Sequence, residues 1–240
     1  MRKISPVLLL TILLACAKHP SVPPEAKPSA TPAALVEVSG SKQAGRLGAP
    51  LDQPIVVQVN DDKGAAVQNA RVTITGAPGL AADPASGLTD SSGQFTSLIS
   101  APGISGHFQV IATTKGQNGE PVELKLDEIA LGYEQVLGQQ LNARYCSRCH
   151  DPESTPERVS NMDNLDPKPH AFTEGDTLNK ISDADLALII TRGGAALNIS
   201  SSMPPYGYTL NNSEIHALVS YVRAIADPPY RPSGMVYANK

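Results

Sequence analysis

Tryptophan is absent from this 240-residue sequence, and cysteine occurs only three times. Without a second cysteine pair, a zinc ion would lack two of the four ligands that it usually takes. No apolar run after residue 16 has the length of a membrane span. The net charge of −4 also lacks the basic excess of nucleic-acid-binding proteins, so we expect no nucleic-acid partner.

The first sixteen residues have the order of an export signal. Two basic residues at 2–3 precede an apolar stretch at 7–14, which is too short to span a bilayer, and the small residue Ala15 follows. The run LLAC at 13–16 resembles the lipobox of bacterial lipoproteins. That resemblance implies a signal peptide over 1–15 and a lipidated Cys16 that anchors the chain in a membrane. The alternative is a soluble periplasmic protein in which this cysteine stands by chance.

Residues 16–34 are predicted to form a lipidated tether. The stretch 17–34 contains five prolines and few apolar side chains, which predicts an extended, disordered segment. Ala17 follows the anchor. Enteric lipoproteins that are retained in the inner membrane usually have aspartate at this position, and this chain does not resemble them there. By that comparison we expect an outer-membrane protein of the bacterial cell envelope, facing the periplasm.

Residues 35–132 are predicted to form an all-β sandwich. Apolar and polar residues alternate in four stretches, at 55–59, 70–74, 108–112 and 122–126, and turn sequences such as DDKG and DSSG separate them. This spacing predicts six to eight short strands. The run VNDDKGAAVQNARVTITG, followed by GLTDSSGQF, resembles bacterial Ig-like and carboxypeptidase-regulatory-like modules. We expect a spacer, or a module that docks a partner.

The acidic turn at residues 60–62 is a weak candidate for calcium. Asn60, Asp61 and Asp62 place oxygen atoms close together, but no later glutamate completes an EF-hand-like loop. Ordinary turn chemistry is therefore the preferred interpretation.

The second half of the chain changes to a helical period. Leu137, Leu141 and Tyr145 recur every four residues and lead into the run CSRCH. Cys146 and Cys149 lie one helical turn apart, as two thioethers to the vinyl groups of a haem require, and His150 follows as a ligand for the iron. A dithiol redox site would need a βαβ setting, which this sequence does not offer.

The spacing around CSRCH resembles that of class I cytochrome c domains. The family has a glycine eight residues before the first haem cysteine and a leucine three residues later, here Gly138 and Leu141. An aromatic residue often follows that leucine, whereas this chain has Asn142. The resemblance implies an all-α cytochrome c fold with one covalent haem c over 133–229, and leaves 230–240 as a tail.

Met203 is the best candidate for the sixth iron ligand. It lies in the run SSMPPYGY, where two prolines favour an extended loop that can present a thioether sulfur. Packing of Met203 in a core is the alternative. The remaining methionines and histidines outside the motif are weaker candidates: Met162, Met235, His19, His107, His170 and His216.

Three local signals predict how the helical half is built. Ser182 with Asp185 and Asn211 with Glu214 resemble helix starts, and glycines at 193–194 predict a helix end. In the family the last helix crosses the first near an aromatic residue, for which Tyr221 is the candidate. We also expect the second ring nitrogen of His150 to donate to a backbone carbonyl within 151–157.

An iron held by His150 and Met203 has no open position. The sequence therefore predicts a carrier of single electrons between protein redox partners rather than an enzyme. One alternative is a haem-based sensor or peroxidatic enzyme in which Met203 dissociates. Another is a binding or adhesion module, located in the Ig-like half, that carries the cytochrome as a passenger.

Overall fold

The computed structural model describes residues 26–232 with the exception of Glu157. The predicted signal peptide, Cys16, His19 and Met235 lie outside the described residues. Among the helices of the described part, none has the length and apolar content needed to cross a membrane.

Nine strands form the first half of the described chain. The first five are β1 (Ala34–Ser39), β2 (Ala44–Arg46), β3 (Ile55–Asn60), β4 (Arg71–Gly76) and β5 (Ala81–Asp83). The other four are β6 (Ser86–Leu88), β7 (Gln94–Ser100), β8 (Gly106–Lys115) and β9 (Pro121–Leu131). They make a four-stranded sheet in the order β1-β3-β7-β5 and a five-stranded sheet in the order β2-β9-β8-β4-β6. The pairs are antiparallel except for β2 with β9.

The alternating pattern of the sequence becomes one core between the two sheets. In β3, Ile55, Val57 and Val59 are buried, and they share a cluster with Val110 and Ala112 of β8. This confirms an Ig-like β-region. The strand number exceeds the predicted six to eight because β2, β5 and β6 have only three residues each, which is too short for alternation to show in the sequence.

The two acidic turns are built alike. The Asp61 carboxylate accepts hydrogen bonds from the N–H groups of Lys63 (2.9 Å) and Ala65 (2.8 Å), and Asp90 accepts in the same way two and four residues on. Asp61 therefore acts within its own turn, as expected for ordinary turn chemistry. The described residues contain no group of three or more His, Cys, Asp or Glu that could hold a metal ion.

The ordered chain begins before residue 35. The N–H of Ser29 donates to the Gln68 carbonyl (2.9 Å), and that of Ala33 donates to the Asn60 carbonyl (2.8 Å). Residues 29–34, which the sequence assigned to the tether, thus belong to the sandwich. Their prolines and alanines gave no strand signal, because the contacts that order them come from distant residues.

Five α-helices follow the sandwich within the described part of the chain. They are α1 (Tyr133–Tyr145), α2 (Ser147–His150), α3 (Gly175–Leu178), α4 (Asp183–Arg192) and α5 (Asn212–Ile225). Ser182 caps α4, Asn211 with Glu214 forms a reciprocal capping box on α5, and Gly193 ends α4, all as predicted.

Helices α1 and α5 cross at Gly138. A Cβ atom on Gly138 would lie 2.0 Å from the Ala217 carbonyl oxygen and 2.6 Å from the Cβ of Tyr221, so only glycine allows this approach. Asn142, at the position where the family often has an aromatic residue, lies beside the Tyr221 side chain. Burial raises the pKa of Tyr221 to about 12. The predicted crossing of the first and last helices is confirmed.

The sandwich and the helices are joined closely. Gly132 alone separates β9 from α1. The Gln139 side-chain amide donates to the Ala44 carbonyl of β2 (3.1 Å), which links α1 to the edge of the five-stranded sheet. This contact places the helical part directly against one end of the sandwich.

Candidate haem site

The CSRCH run forms a turn of its own. Helix α1 ends at Tyr145, and Cys146, with φ −117° and ψ −37°, separates it from α2. The N–H groups of Cys149 and His150 both donate to the Cys146 carbonyl (3.0 Å each). Both thiols are free and half-buried. The turn thus carries the two thiols and the imidazole that the sequence predicted.

The loop after the motif folds back and holds α2. The Arg158 guanidinium donates to the Ser147 carbonyl (3.1 Å) and pairs with the Asp151 carboxylate (2.6 Å). The N–H of Asn161 donates to the Arg148 carbonyl (2.8 Å). These bonds satisfy carbonyls that the end of a short helix leaves without partners. They fix the backbone that carries the cysteines.

His150 is held by a residue twenty positions further on. Its Nδ1 lies 2.8 Å from the His170 carbonyl, so the predicted partner within 151–157 is wrong. That loop instead holds α2. Because a carbonyl only accepts, Nδ1 carries the proton and Nε2 keeps a lone pair. The Phe172 ring stacks on the imidazole at 4.6 Å, and burial lowers the pKa of His150. A neutral imidazole of this kind can bind a metal.

The motif lies on the wall of an apolar cavity of about 420 Å³. Cys146, Cys149 and His150 line it together with Met203. Its volume lies within the range of small-molecule and cofactor sites. Apolar side chains from α3, α4, α5 and the loop before α4 form much of the remaining wall: Leu178, Ile181, Leu186, Ile190, Leu218 and Val222.

The thiols and two tyrosines share one part of this wall. Burial, followed by the neighbouring Cys149, raises the pKa of Cys146 to about 12, so the free thiol is protonated. The Tyr206 hydroxyl donates to the Tyr145 carbonyl (2.8 Å), and the two rings meet edge to face at 5.9 Å. Tyr206 and Phe172 were not predicted as site residues, because no motif assigns either of them a role.

Backbone hydrogen bonds place Met203 at the cavity. The N–H of Gly194 donates to the Met203 carbonyl (3.0 Å), which fastens the loop to the residues that follow α4. Met203 is half-buried and shares the cavity wall with His150, although 53 positions separate them in the sequence. Its role as iron ligand stays a prediction.

The weaker ligand candidates differ in whether they line the cavity. Met162 is 3% exposed and does not line the cavity, so it neither packs against the cavity nor reaches the surface. His107 on β8 and His216 on α5 are exposed. His170 does line the cavity, but its Nδ1 pairs with Glu174 (2.8 Å).

The residues present fit a haem. A porphyrin is largely apolar and flat, and the cavity wall is mostly apolar. Two thiols stand one turn apart, a neutral imidazole follows them, and a methionine lies on the same wall. In a small helical domain, this set of side chains is typical of c-type cytochromes.

Residues 135–222 match the family model of "Cytochrome C oxidase, cbb3-type, subunit III". This part of the chain therefore resembles a cytochrome c domain, which implies haem c and suggests electron transfer. The match covers helices α1 to α4 and most of α5 and leaves out the sandwich. No curated protein matches the chain.

Some solved structures share β-rich parts with this chain. The D0-D1 domain of Intimin is 17% identical and covers 43% of this chain and 50% of its own, with a TM-score of 0.31. The Yersinia pseudotuberculosis adhesin InvE is 14% identical and covers 41% of this chain and 32% of its own, with a TM-score of 0.32. The chain thus spans half of these structures or less.

Proposed function

We propose that the chain is a lipid-anchored c-type cytochrome of the bacterial periplasm, which carries single electrons between protein redox partners. The observation that carries this proposal is the shared wall of one apolar cavity, where both thiols, the imidazole of His150 and Met203 come together. The family match at 135–222 supports it independently.

Each of the four side chains has a role in this proposal. Cys146 and Cys149 bind the vinyl groups of one haem as thioethers, and α2 keeps the two sulfur atoms one turn apart. His150 binds the iron through Nε2, because Nδ1 is engaged by the His170 carbonyl. Met203 would hold the iron through its sulfur. When bound, the haem supplies one-electron chemistry at a potential that methionine ligation raises.

The surrounding residues favour a carrier over an enzyme. With His150 and Met203 both holding the iron, the chain would leave no coordination position for a substrate. The apolar wall excludes water. A haem in such a cavity is stabilised in the oxidation state that carries less charge. The described residues of the cavity wall include His170, but its Nδ1 is paired with Glu174 rather than poised as an acid or base toward a bound molecule.

We propose that the sandwich is a spacer between the membrane and the haem domain. Cys16 would anchor the chain in the outer membrane, and the residues up to about 28 would tether it. The direct passage from β9 into α1 and the contact between Gln139 and Ala44 support a fixed placement of the haem domain on the sandwich. The sandwich also offers a surface for docking a partner complex.

The ligand assignment is tested with two methionine variants. Met203→Leu should lose the absorption signature of methionine ligation and let the reduced protein bind carbon monoxide. Met162→Leu is the matched control, because Met162 is in the same domain but not on the cavity wall. If both variants keep the native spectrum, Met203 is not the sixth ligand. If the wild-type protein itself binds carbon monoxide at neutral pH, it is a sensor or peroxidatic enzyme rather than a carrier.

The anchor is tested separately. Cys16→Ser should release the protein from the membrane fraction into the soluble periplasm and abolish incorporation of labelled fatty acid. A wild-type protein that incorporates no fatty acid would contradict the lipid anchor without affecting the proposal for the haem.

A further inference from the structure

The loop that ends at Met203 is closed on a single residue, Gly194. The N–H of Gly194 donates to the carbonyl of Met203 (3.0 Å). The carbonyl of the same glycine accepts from the N–H of Ile199 (3.0 Å). The N–H and the carbonyl of Gly194 thus both hold the loop 195–203.

No side chain fits at Gly194. A Cβ atom there would lie 2.4 Å from the Ser200 carbonyl oxygen and 3.2 Å from the Cβ of Met203. The first contact is with backbone, which cannot turn away as the end of a flexible side chain can. Any substitution must therefore move the chain that carries Met203.

Gly193 makes a second close approach. Its φ of 72° lies in the left-handed region that favours glycine. A Cβ atom on it would lie 2.6 Å from the nitrogen of Pro205 and 2.8 Å from the carbonyl oxygen of Met203. The two adjacent glycines therefore both lie against the backbone that carries Met203.

The segment after Met203 is fastened to the last turn of α4. The N–H of Tyr206 donates to the Ile190 carbonyl, and that of Gly207 donates to the Thr191 carbonyl (3.0 Å each). These carbonyls belong to the helix end, where partners within the helix are lacking. Met203 thus lies between two anchored points, Gly194 before it and Tyr206 after it.

We propose that Gly194, together with Gly193, is a positioning residue that keeps Met203 seated on the cavity wall. The inference rests on the proposed function, since it assigns the glycines a role toward an iron ligand. The pair does more than end α4: it closes the loop so that the thioether stays at the open face of the iron. The carrier then excludes external ligands, because the closed loop keeps Met203 in place.

The test compares Gly194→Ala with Gly132→Ala in the full-length haem protein. Gly132 has room for a Cβ, since the nearest atom lies 3.6 Å away, and it does not line the cavity. Gly194→Ala should keep its covalent haem, show a lower reduction potential and bind carbon monoxide about tenfold more tightly or better, because overpacking raises the fraction of open loops. Gly132→Ala should match the wild type. A Gly194→Ala protein with native potential and no gain in carbon monoxide binding overturns the proposal.

Amide exchange in the wild-type protein gives a second test that needs no variant to fold. The N–H groups of Gly194 and Ile199 should exchange at least about tenfold more slowly than that of Ser201, which makes no hydrogen bond among the described residues. Equal exchange at the three positions contradicts the closed loop. A protein without c-type haem bands would instead remove the proposed function, while the exchange pattern would still report on the loop.

Discussion

The Nδ1 atom of His150 lies 2.8 Å from the backbone carbonyl of His170. The carbonyl is part of a loop that Glu174 holds from the other side. The Glu174 carboxylate accepts from the His170 ring (2.8 Å) and from the Ala171 N–H (3.1 Å). The position of the imidazole therefore depends on a carboxylate that does not itself contact it.

We expect Glu174→Ala to raise the reduction potential of the haem. A looser loop weakens the hydrogen bond to Nδ1, which makes His150 a less basic ligand and disfavours the ferric state. The effect should be modest, since both partners are exposed and such pairs contribute about 0.2–1 kcal/mol. A redox titration measures the change.

Removal of one negative charge would also raise the potential, so a control is needed. Asp176 is exposed on α3, two residues away, and makes no side-chain hydrogen bond among the described residues. Asp176→Ala should produce a smaller shift than Glu174→Ala. Equal shifts in the two variants would mean that charge alone acts and that Glu174 does not position the loop.

Gly138→Ala should destabilise the helical domain. The added methyl group meets the Ala217 carbonyl at 2.0 Å, so α1 and α5 must separate. Overpacking of this kind costs about 1–3 kcal/mol and sometimes more. Denaturant unfolding followed by haem absorbance measures the loss. Gly132→Ala serves again as the control with open space, and a Gly138→Ala protein as stable as this control would refute the close crossing.

Glu128 should make the stability of the sandwich depend on pH. It is fully buried on β9, where one carboxylate oxygen accepts from the Gln43 N–H (2.7 Å) and the other has no hydrogen-bond partner. Burial raises its pKa from 4.5 to about 7, against the opposing effect of the Gln43 N–H. The native state thus holds the proton more tightly than the unfolded state.

The direction of the effect follows from that difference. The contribution of Glu128 to the stability of the sandwich is fully present below a pH of about 4.5. This contribution falls as the pH rises towards about 7, by at most about 1.4 kcal/mol per pH unit. Glu128→Gln, an uncharged side chain of the same shape, should flatten this dependence. Urea unfolding of both proteins across this range gives the slopes, and identical slopes would show that Glu128 does not titrate in the core.

The stability of the protein should fall when Arg223 is replaced, even by lysine, which keeps the charge. Arg223 is 9% exposed on α5 and donates to the Leu178 carbonyl (2.7 Å), the Ile181 carbonyl and the Asp183 carboxylate (2.8 Å). Lysine cannot reproduce this fork, so Arg223→Lys should cost about 1–3 kcal/mol of unfolding free energy. Arg192→Lys, at an exposed position on α4, should change stability little. Equal stabilities would show that the fork is dispensable.

Local rules made part of this structure predictable. The CSRCH run, the capping pairs and the helix end at Gly193 depend on residues close together in sequence, and the structure has each as expected. The His170 carbonyl could not be predicted, because every residue carries a carbonyl and only the folded chain selects one. The loop-closing role of Gly194 has the same origin, since a close approach between distant backbones leaves no pattern in the sequence.

The burial of Glu128 could be predicted only in part from the sequence. Glu128 continues the buried phase of Leu124 and Leu126, so alternation alone directs its side chain into the core. Its charge suggests the opposite face. The Gln43 N–H that makes burial tolerable comes from the residue before β2, 85 positions away, and no local signal in the sequence predicts it.

Mass spectrometry of the peptide that spans residues 145–152, cut from the purified full-length protein, tests the attachment site itself. We predict that this peptide carries the mass of one haem and that neither Cys146 nor Cys149 reacts with an alkylating reagent. A peptide without haem, with both thiols open to alkylation, would contradict the cytochrome proposal.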